Sequence, residues 1–343
     1  MNGPAAVTIG IRTFERPLLL ERAIQSVIDQ SFADWKIVLL NNGGDPAVVN
    51  GVVDKHRDRL DGRIEVIHER ASRSIGAAAN ATIAGPLGEH YTLLDDDDAW
   101  EPQFLQRCVD RLRAEQNEVV AVATQFIRAS ERVHEDGSIE ELSRRVSNPT
   151  FERTSFQNAL MGCPAPPTAL LIRSSALESV GRYDETLGTG DDWEFLLRLL
   201  THGRIAVIPE PLAIRYERYD GDTRYANISS REQAVRDDNA SIRDRFTERP
   251  MRSGEVDVAH VALAISEVDR ENHARINETL DHVRSLRLQF AEIDDRTKHI
   301  LSLLERYDST FSQLGVILQK IFRMRRFASR VRATLTGRRK REK

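Results

Sequence analysis

Over residues 1–120 the chain switches repeatedly between short apolar runs and stretches whose apolar residues return every three or four positions. "AVTIGI" (6–11) is the first short run and predicts a strand. "RPLLLERAIQSVIDQ" (16–30) predicts a helix, with Leu19, Ala23, Ile24 and Val27 on one face. "WKIVLLNN" (35–42) is apolar without a break, the pattern of a strand covered on both sides. "RIEVIHE" (63–69) predicts a third strand, "SIGAAANATIAG" (74–85) a helix of small residues, and "EHYTLLDD" (89–96) a fourth strand. The next helix is expected to begin near Pro102, a good first-turn residue, and to run through "FLQRCVDRLRAEQ". Alternating β and α units of this length imply a parallel, doubly wound sheet, which binds ligands beyond the carboxyl ends of its strands.

Residues 120–225 are more mixed. "VVAVATQFIRA" (119–129) and "TALLIRS" (168–174) predict strands, and "DDWEFLLRLLTHG" (191–203) a helix with Gly203 as its stop signal. "RIAVIPEPLAIRY" (204–216) predicts a strand interrupted by two prolines and placed at a sheet edge. No proline follows Pro250, and apolar residues then fall into a heptad register. With Ile276 at a, that series continues through Val283, Phe290, Thr297, Leu304, Phe311 and Leu318; d is Thr279, Leu286, Ile293, Ile300, Tyr307, Leu314 and Ile321. Twelve of these fourteen are apolar or aromatic, which predicts a coiled coil and a homo-oligomer, with one long helix folding back on the body as the alternative.

Charge adds a further division. The formal net charge is −4, but residues 320–343 hold eleven Lys/Arg and one Glu, leaving about −14 on the rest. In that tail Met324, Phe327, Val331 and Leu335 form one helical stripe among arginines, the pattern of an interfacial helix on anionic lipid, with a solvated, frayed end as the alternative. Nucleic acid is disfavoured, because no aromatic-interleaved module accompanies the basic residues. Two cysteines, Cys108 and Cys163, in no metal spacing argue against a disulfide framework or a zinc site. "MNGPAAVTIGIRTF" lacks the features of a signal peptide, and no apolar run is long enough to span a bilayer, so a cytoplasmic chain is expected.

"HYTLLDDDDAW" (90–100) places four carboxylates in a row at the end of a predicted strand. At about 5 Å and an effective dielectric near 20, each neighbouring pair costs roughly 3 kcal/mol, so a cation or plain solvent must offset the repulsion. "GTGDDWEF" (188–195) places two more carboxylates at a helix start, either as caps or as chemistry. The first strand ends carry neither GxGxxG nor a P-loop, which excludes those nucleotide sites.

Read in order, "VTIGIRTFERPLLLERAIQSVIDQSFADWKIVLLNNGG", "SRSIGAAANATI", "YTLLDDDDAWEP" and "GRYDETLGTGDDWEFLLRLL" resemble a family 2 glycosyltransferase of GT-A fold, over roughly residues 5–220. The resemblance implies a GT-A type doubly wound mixed sheet with a Rossmann-like nucleotide-binding half, followed here by the long helical coiled coil. The expected layout is a catalytic domain over 1–250 (nucleotide-sugar half 1–120, acceptor half 121–250), the coil over 256–322 and the basic tail over 320–343. It implies Mn²⁺ or Mg²⁺ on Asp97, with Asp95, bridging the diphosphate of a nucleotide-sugar donor. Asp95 or Asp96 would reach the ribose or metal-bound water, and Asp98 would cap the next helix. Asp192 takes the catalytic-base position, with Asp191 where the family usually has Glu.

Thr13, Glu15 and Asn42 align with nucleotide contacts, and Arg73 with a diphosphate contact. Asn41-Asn42 replaces an acidic pair, Ala79 a frequent Arg, and Arg218-Tyr219 an Arg-His pair that assists with metal or phosphate. Trp193 is expected to pack beneath the acceptor, and Cys163 to be a packed residue rather than a nucleophile. The implied function is inverting, metal-dependent transfer to a hydroxyl of a glycan or lipid-linked acceptor in cell-surface polysaccharide assembly, at the inner membrane face. A silent scaffold acting through the coil and a sugar nucleotidyltransferase are the alternatives.

Overall fold

The computed structural model describes residues 5–248 except 116–117, 135, 148–153, 161, 219–224 and 226–231. The chain divides into two units, Met1–Ala262 and Leu263–Lys343, and every described residue belongs to the first. The expected coiled coil, the basic tail and Tyr219 lie outside the described residues.

In chain order the strands are β1 (Val7–Thr13), β2 (Trp35–Asn41), β3 (Ile64–His68), β4 (His90–Asp95), β5 (Ala99–Trp100), β6 (Val119–Val133), β7 (Ile139–Val146), β8 (Leu170–Arg173) and β9 (Arg204–Glu217). The helices are α1 (Pro17–Ile28), α2 (Pro46–Lys55), α3 (Arg57–Leu60), α4 (Ile75–Thr82), α5 (Phe104–Ala114), α6 (Phe156–Leu160), α7 (Ser174–Val180), α8 (Asp191–His202) and α9 (Glu232–Arg243). One sheet runs β3-β2-β1-β4-β8-β6-β9-β5, with β7 paired to β6. Its first four strands are parallel; β8 is antiparallel to both β4 and β6, and β6 and β9 are parallel again. The sheet is therefore mixed, as the resemblance implies.

The parallel half follows the predicted pattern closely. β1 and β2 are buried on both faces, and α1 packs Leu19, Leu20, Ala23, Ile24 and Val27 against them. Pro17 opens α1 at a position where its missing N–H costs nothing. Parallel register sets Thr13 beside Asn41 and Arg12 beside Asp95. The loops after β1, β2 and β4 therefore meet at one end of the sheet. The small residues of α4 also have a reason. A Cβ on Gly76 would come within 2.6 Å of the Asp184 carbonyl oxygen. The Asn80 side chain donates to the Tyr183 carbonyl at 2.9 Å and accepts from the Tyr183 N–H at 2.8 Å. Through these contacts α4 fixes the loop that leads into α8.

Four expectations need correction. Pro102 precedes α5 rather than opening it; Gln103 holds the cap position and the Pro102 carbonyl takes the Ser31 N–H at 2.8 Å. Asp98 caps no helix, because the strand β5 intervenes before α5. The two prolines do not interrupt β9; the β6–β9 register slips beside Gln125, and Gln125 then pairs with Pro211. Nor is β9 the last strand, since β5 covers its far side. Gly203 does end α8, as expected, at φ 175°, an extended conformation; glycine is required there by close approach of the Glu118 carbonyl and the Val120 side chain. No described helix is long and apolar enough to cross a membrane.

Candidate active site

A cleft of about 380 Å³ opens at the carboxyl end of the parallel strands. One wall carries Arg12, Thr13, Asn42 and the acidic turn after β4; the other carries Asp191, Asp192 and Trp193 at the start of α8. The two acidic motifs of the sequence thus face one space, and one side chain spans them. Arg12 Nε donates to Asp95 Oδ1 at 2.7 Å, and its Nη1 reaches Asp191 Oδ2 at 3.4 Å and the Ile75 carbonyl at 2.9 Å.

Arginines offset the repulsion within the four-aspartate run. Asp95 pairs with Arg12; Asp96 pairs with Arg16; Asp97 Oδ2 takes Arg16 Nη1 at 3.2 Å and Arg218 Nη2. Asp98 accepts the Tyr216 N–H at 3.3 Å, and the charge of Arg215 acts on it. Burial works against the charged form of Asp95, Asp96 and Asp98, and the balance differs. Burial pushes Asp96 up to about 6 and, with Asp97 and Asp95 nearby, lifts Asp98 well above the usual carboxylate range. Asp95 is only partly buried, its side chain 29% exposed, and the Arg12 guanidinium outweighs that burial and holds it below that range.

One ligand oxygen each from Asp95, Asp97 and Asp98 lies within 4.8 Å of the others. An octahedral Mg²⁺ or Mn²⁺ takes hard oxygens at roughly 2.1 Å, so opposite ligands stand about 4 Å apart, and this all-oxygen set would suit such an ion after closing by less than about 1 Å. Asp98 is a member that the sequence reading assigned to a helix cap. Asp96 is not in the set: it is fully buried and held by Thr13 Oγ1 at 2.6 Å and by Arg16. Alternation off the strand separates Asp96 from Asp95 and Asp97, and the turn at 96–97, closed by the Asp98 N–H on the Asp95 carbonyl at 3.0 Å, returns Asp98 to their side.

The other wall is built on the start of α8. Gly190 supplies the turn at φ 71°, with Ile242 of α9 packed 3.1 Å from where a Cβ would stand. Asp191 is buried, and burial pushes its carboxyl up to about 6 against the pull of Arg12, with Asp192 and Asp95 adding to the rise. Asp192 is more open and lines the cleft. Trp193 lies under this wall with Nε1 bonded to the Ala159 carbonyl. Cys163 lines the cleft, donates to the Ala165 carbonyl at 3.3 Å, and has its thiol pushed well above the usual range by burial.

The structure separates the remaining candidates. Thr13 is buried and spent on Asp96, though it touches the cleft. Asn42 lines the cleft and accepts the Arg73 N–H at 2.9 Å, whereas Asn41 is buried and closes its own turn onto Gly44. Arg73 is half exposed, pairs with Glu69 at 3.0 Å, and is not part of the cleft lining. Glu15, at φ 53°, borders a separate hollow of about 320 Å³ with Asp45 and Val48. Sequence reasoning missed Arg12, Arg16 and Arg215 in the cleft, and Asn239 and Arg243 contributed by α9. Arg215 faces Asp98, Asp192 and Asp95, and none of its donors meets a described hydrogen-bond partner. A charged residue inside a strand was the available signal for Arg12 and Arg215.

Known proteins share sequence or fold with this chain. An uncharacterized glycosyltransferase of Nostoc sp. is 27% identical over 178 residues, 51% of this chain and 52% of that protein. The succinoglycan biosynthesis protein ExoO of Rhizobium meliloti is 25% identical over 258 residues, 71% of each chain. Among solved structures, S. aureus TarS superposes with a TM-score of 0.55 at 14% identity, covering 89% of this chain and 53% of that one. TarS 1–349 with UDP-GlcNAc gives 0.53, covering 87% of its chain. The match thus spans about half the length of the Nostoc relative and of the longer TarS chain. Residues 8–180, half of the sequence, match the family model described as glycosyl transferase family 2, and the chain belongs to that family.

Proposed function

We propose that the protein is an inverting, metal-dependent glycosyltransferase that moves a sugar from a nucleotide-sugar donor to a hydroxyl of a glycan or lipid-linked acceptor. The observation that carries the reading is the pairing, across one cleft, of a metal-spaced carboxylate set with a helix-start carboxylate, joined through Arg12. Asp95, Asp97 and Asp98 would hold the ion, which would supply positive charge against the departing nucleoside diphosphate. Arg215 would donate to the diphosphate oxygens, and Asn42 would face the nucleoside.

Asp192 would take the proton of the acceptor hydroxyl as that oxygen attacks the anomeric carbon. The C–O bond to the diphosphate breaks as the new one forms, so configuration inverts. Trp193 underlies the acceptor side. A relative named for succinoglycan biosynthesis and a fold neighbour bound to UDP-GlcNAc support polysaccharide assembly and a nucleotide-sugar donor.

The test is release of nucleoside diphosphate from a panel of nucleotide sugars with Mn²⁺ or Mg²⁺. One donor should turn over, with loss on chelation and in Asp97→Ala, and with transfer to acceptor falling about 10²–10⁴-fold in Asp192→Asn. No turnover of any donor would point to the scaffold reading. Release of pyrophosphate from a nucleoside triphosphate and a sugar phosphate would point to a nucleotidyltransferase.

A further inference from the structure

Behind the acidic turn lies a buried cluster that the transfer chemistry does not use. Glu131, near the end of β6, has its side chain 1% exposed. Its Oε2 accepts from Arg22 Nη1 at 2.6 Å, and its Oε1 from Arg22 Nη2 at 3.1 Å and from Arg218 Nη1. Both arginines go on to Asp97. Arg218 Nη2 donates to Asp97 Oδ2, while Arg22 Nη2 donates to the Asp97 carbonyl oxygen at 3.0 Å. Arg218 is itself 1% exposed and anchored by the Tyr225 carbonyl at 2.7 Å; Arg22 lies over the Tyr216 ring, 3.5 Å from its centroid.

Glu131 lines no part of the cleft, yet a carboxylate taken out of water and placed between two guanidiniums is costly to assemble. Such clusters return geometry rather than stability. We propose that Glu131 is a positioning residue for cation binding: it holds Arg218 and Arg22, which fix Asp97 from its carboxylate and from its main chain, in register with Asp95 and Asp98. The inference rests on the reading of those three carboxylates as the cation site. Partners that orient a ligating carboxylate are worth about 10–100-fold in metal affinity. The resemblance gave Arg218 a direct role at metal or phosphate; the geometry makes it the link between Glu131 and the ligand.

The experiment is Mn²⁺ binding to the full chain without donor, by electron paramagnetic resonance, for wild type, Glu131→Gln, Arg218→Met and the double variant. Each single change should weaken binding about 10–100-fold. The double should be no weaker than the worse single, because the two residues act as one unit. Unchanged or tighter binding in Glu131→Gln, or losses that multiply in the double variant, would overturn the proposal. If Glu131→Gln does not fold, Arg22→Met carries the test, since Arg22 is 22% exposed and its loss leaves the Glu131–Arg218 pair in place. Several-fold weakening is then expected, and none would overturn the proposal. A wild-type chain that binds no Mn²⁺ removes the cation-site reading itself, and this proposal with it.

Discussion

Asp191 is the residue at which the fold and the chemistry oppose each other. Its carboxyl is raised from an ordinary 3.8 to about 6 by burial, with Arg12 opposing and Asp192 and Asp95 reinforcing the shift. The folded state therefore binds this proton more tightly than the unfolded chain. The stability linked to Asp191 is fully present below about pH 4 and is lost as pH rises through about 6. At pH 7 the ionised group costs about 3 kcal/mol by this linkage. Asp191→Asn should accordingly stabilise the protein at pH 7 by up to about that amount, with the gain vanishing near pH 4, as urea unfolding at the two pH values would show. The same variant should transfer sugar more slowly, since it weakens the Arg12 bridge. That Asp191 and Asp192 open a helix was legible from "GDDWEF"; their different surroundings were not. Arg12 lies 179 positions from Asp191, and Arg218 lies 121 from Asp97, so no local pattern announces either pair.

At the scale of elements, α4 decides where α8 begins. Its glycine and alanines let the helix close on residues 183–185, and Asn80 ties that loop by its main chain. Gly76→Ala gains helix propensity of at most about 1 kcal/mol, but its new methyl meets the Asp184 carbonyl. Overpacking of this kind costs about 1–3 kcal/mol, so a net loss of about 1 kcal/mol is expected in thermal unfolding, with reduced transfer as the loop shifts. The parallel strands and α1 were readable because both faces of the strands and one face of the helix are apolar. β7 was not, because "IEELSRRV" is exposed along nearly its whole length and shows no buried side. α9, with the polar sequence "EQAVRDDNASIR", gave no comparable signal, although Asn239 and Arg243 reach the cleft.

At the scale of the molecule, all the proposed chemistry lies in Met1–Ala262, while the heptads and the basic stripe lie beyond it. Removing 263–343 should leave donor turnover in place. It should abolish self-association in light scattering and sedimentation with anionic vesicles. A truncated chain that still associates and still sediments would place those properties in the catalytic unit. Within that unit, one guanidinium on the first strand serves carboxylates from both halves of the cleft. The halves proposed for donor and acceptor therefore cannot be inherited as interchangeable cassettes. A crossover between relatives that replaces the segment carrying α8 must bring a carboxylate at position 191 to meet Arg12, or leave Arg12 tied only to Asp95 and the Ile75 carbonyl, with the bridge across the cleft lost. Changes of acceptor are easier to reach through the loops and α9 at the rim than through exchange of the half that carries α8.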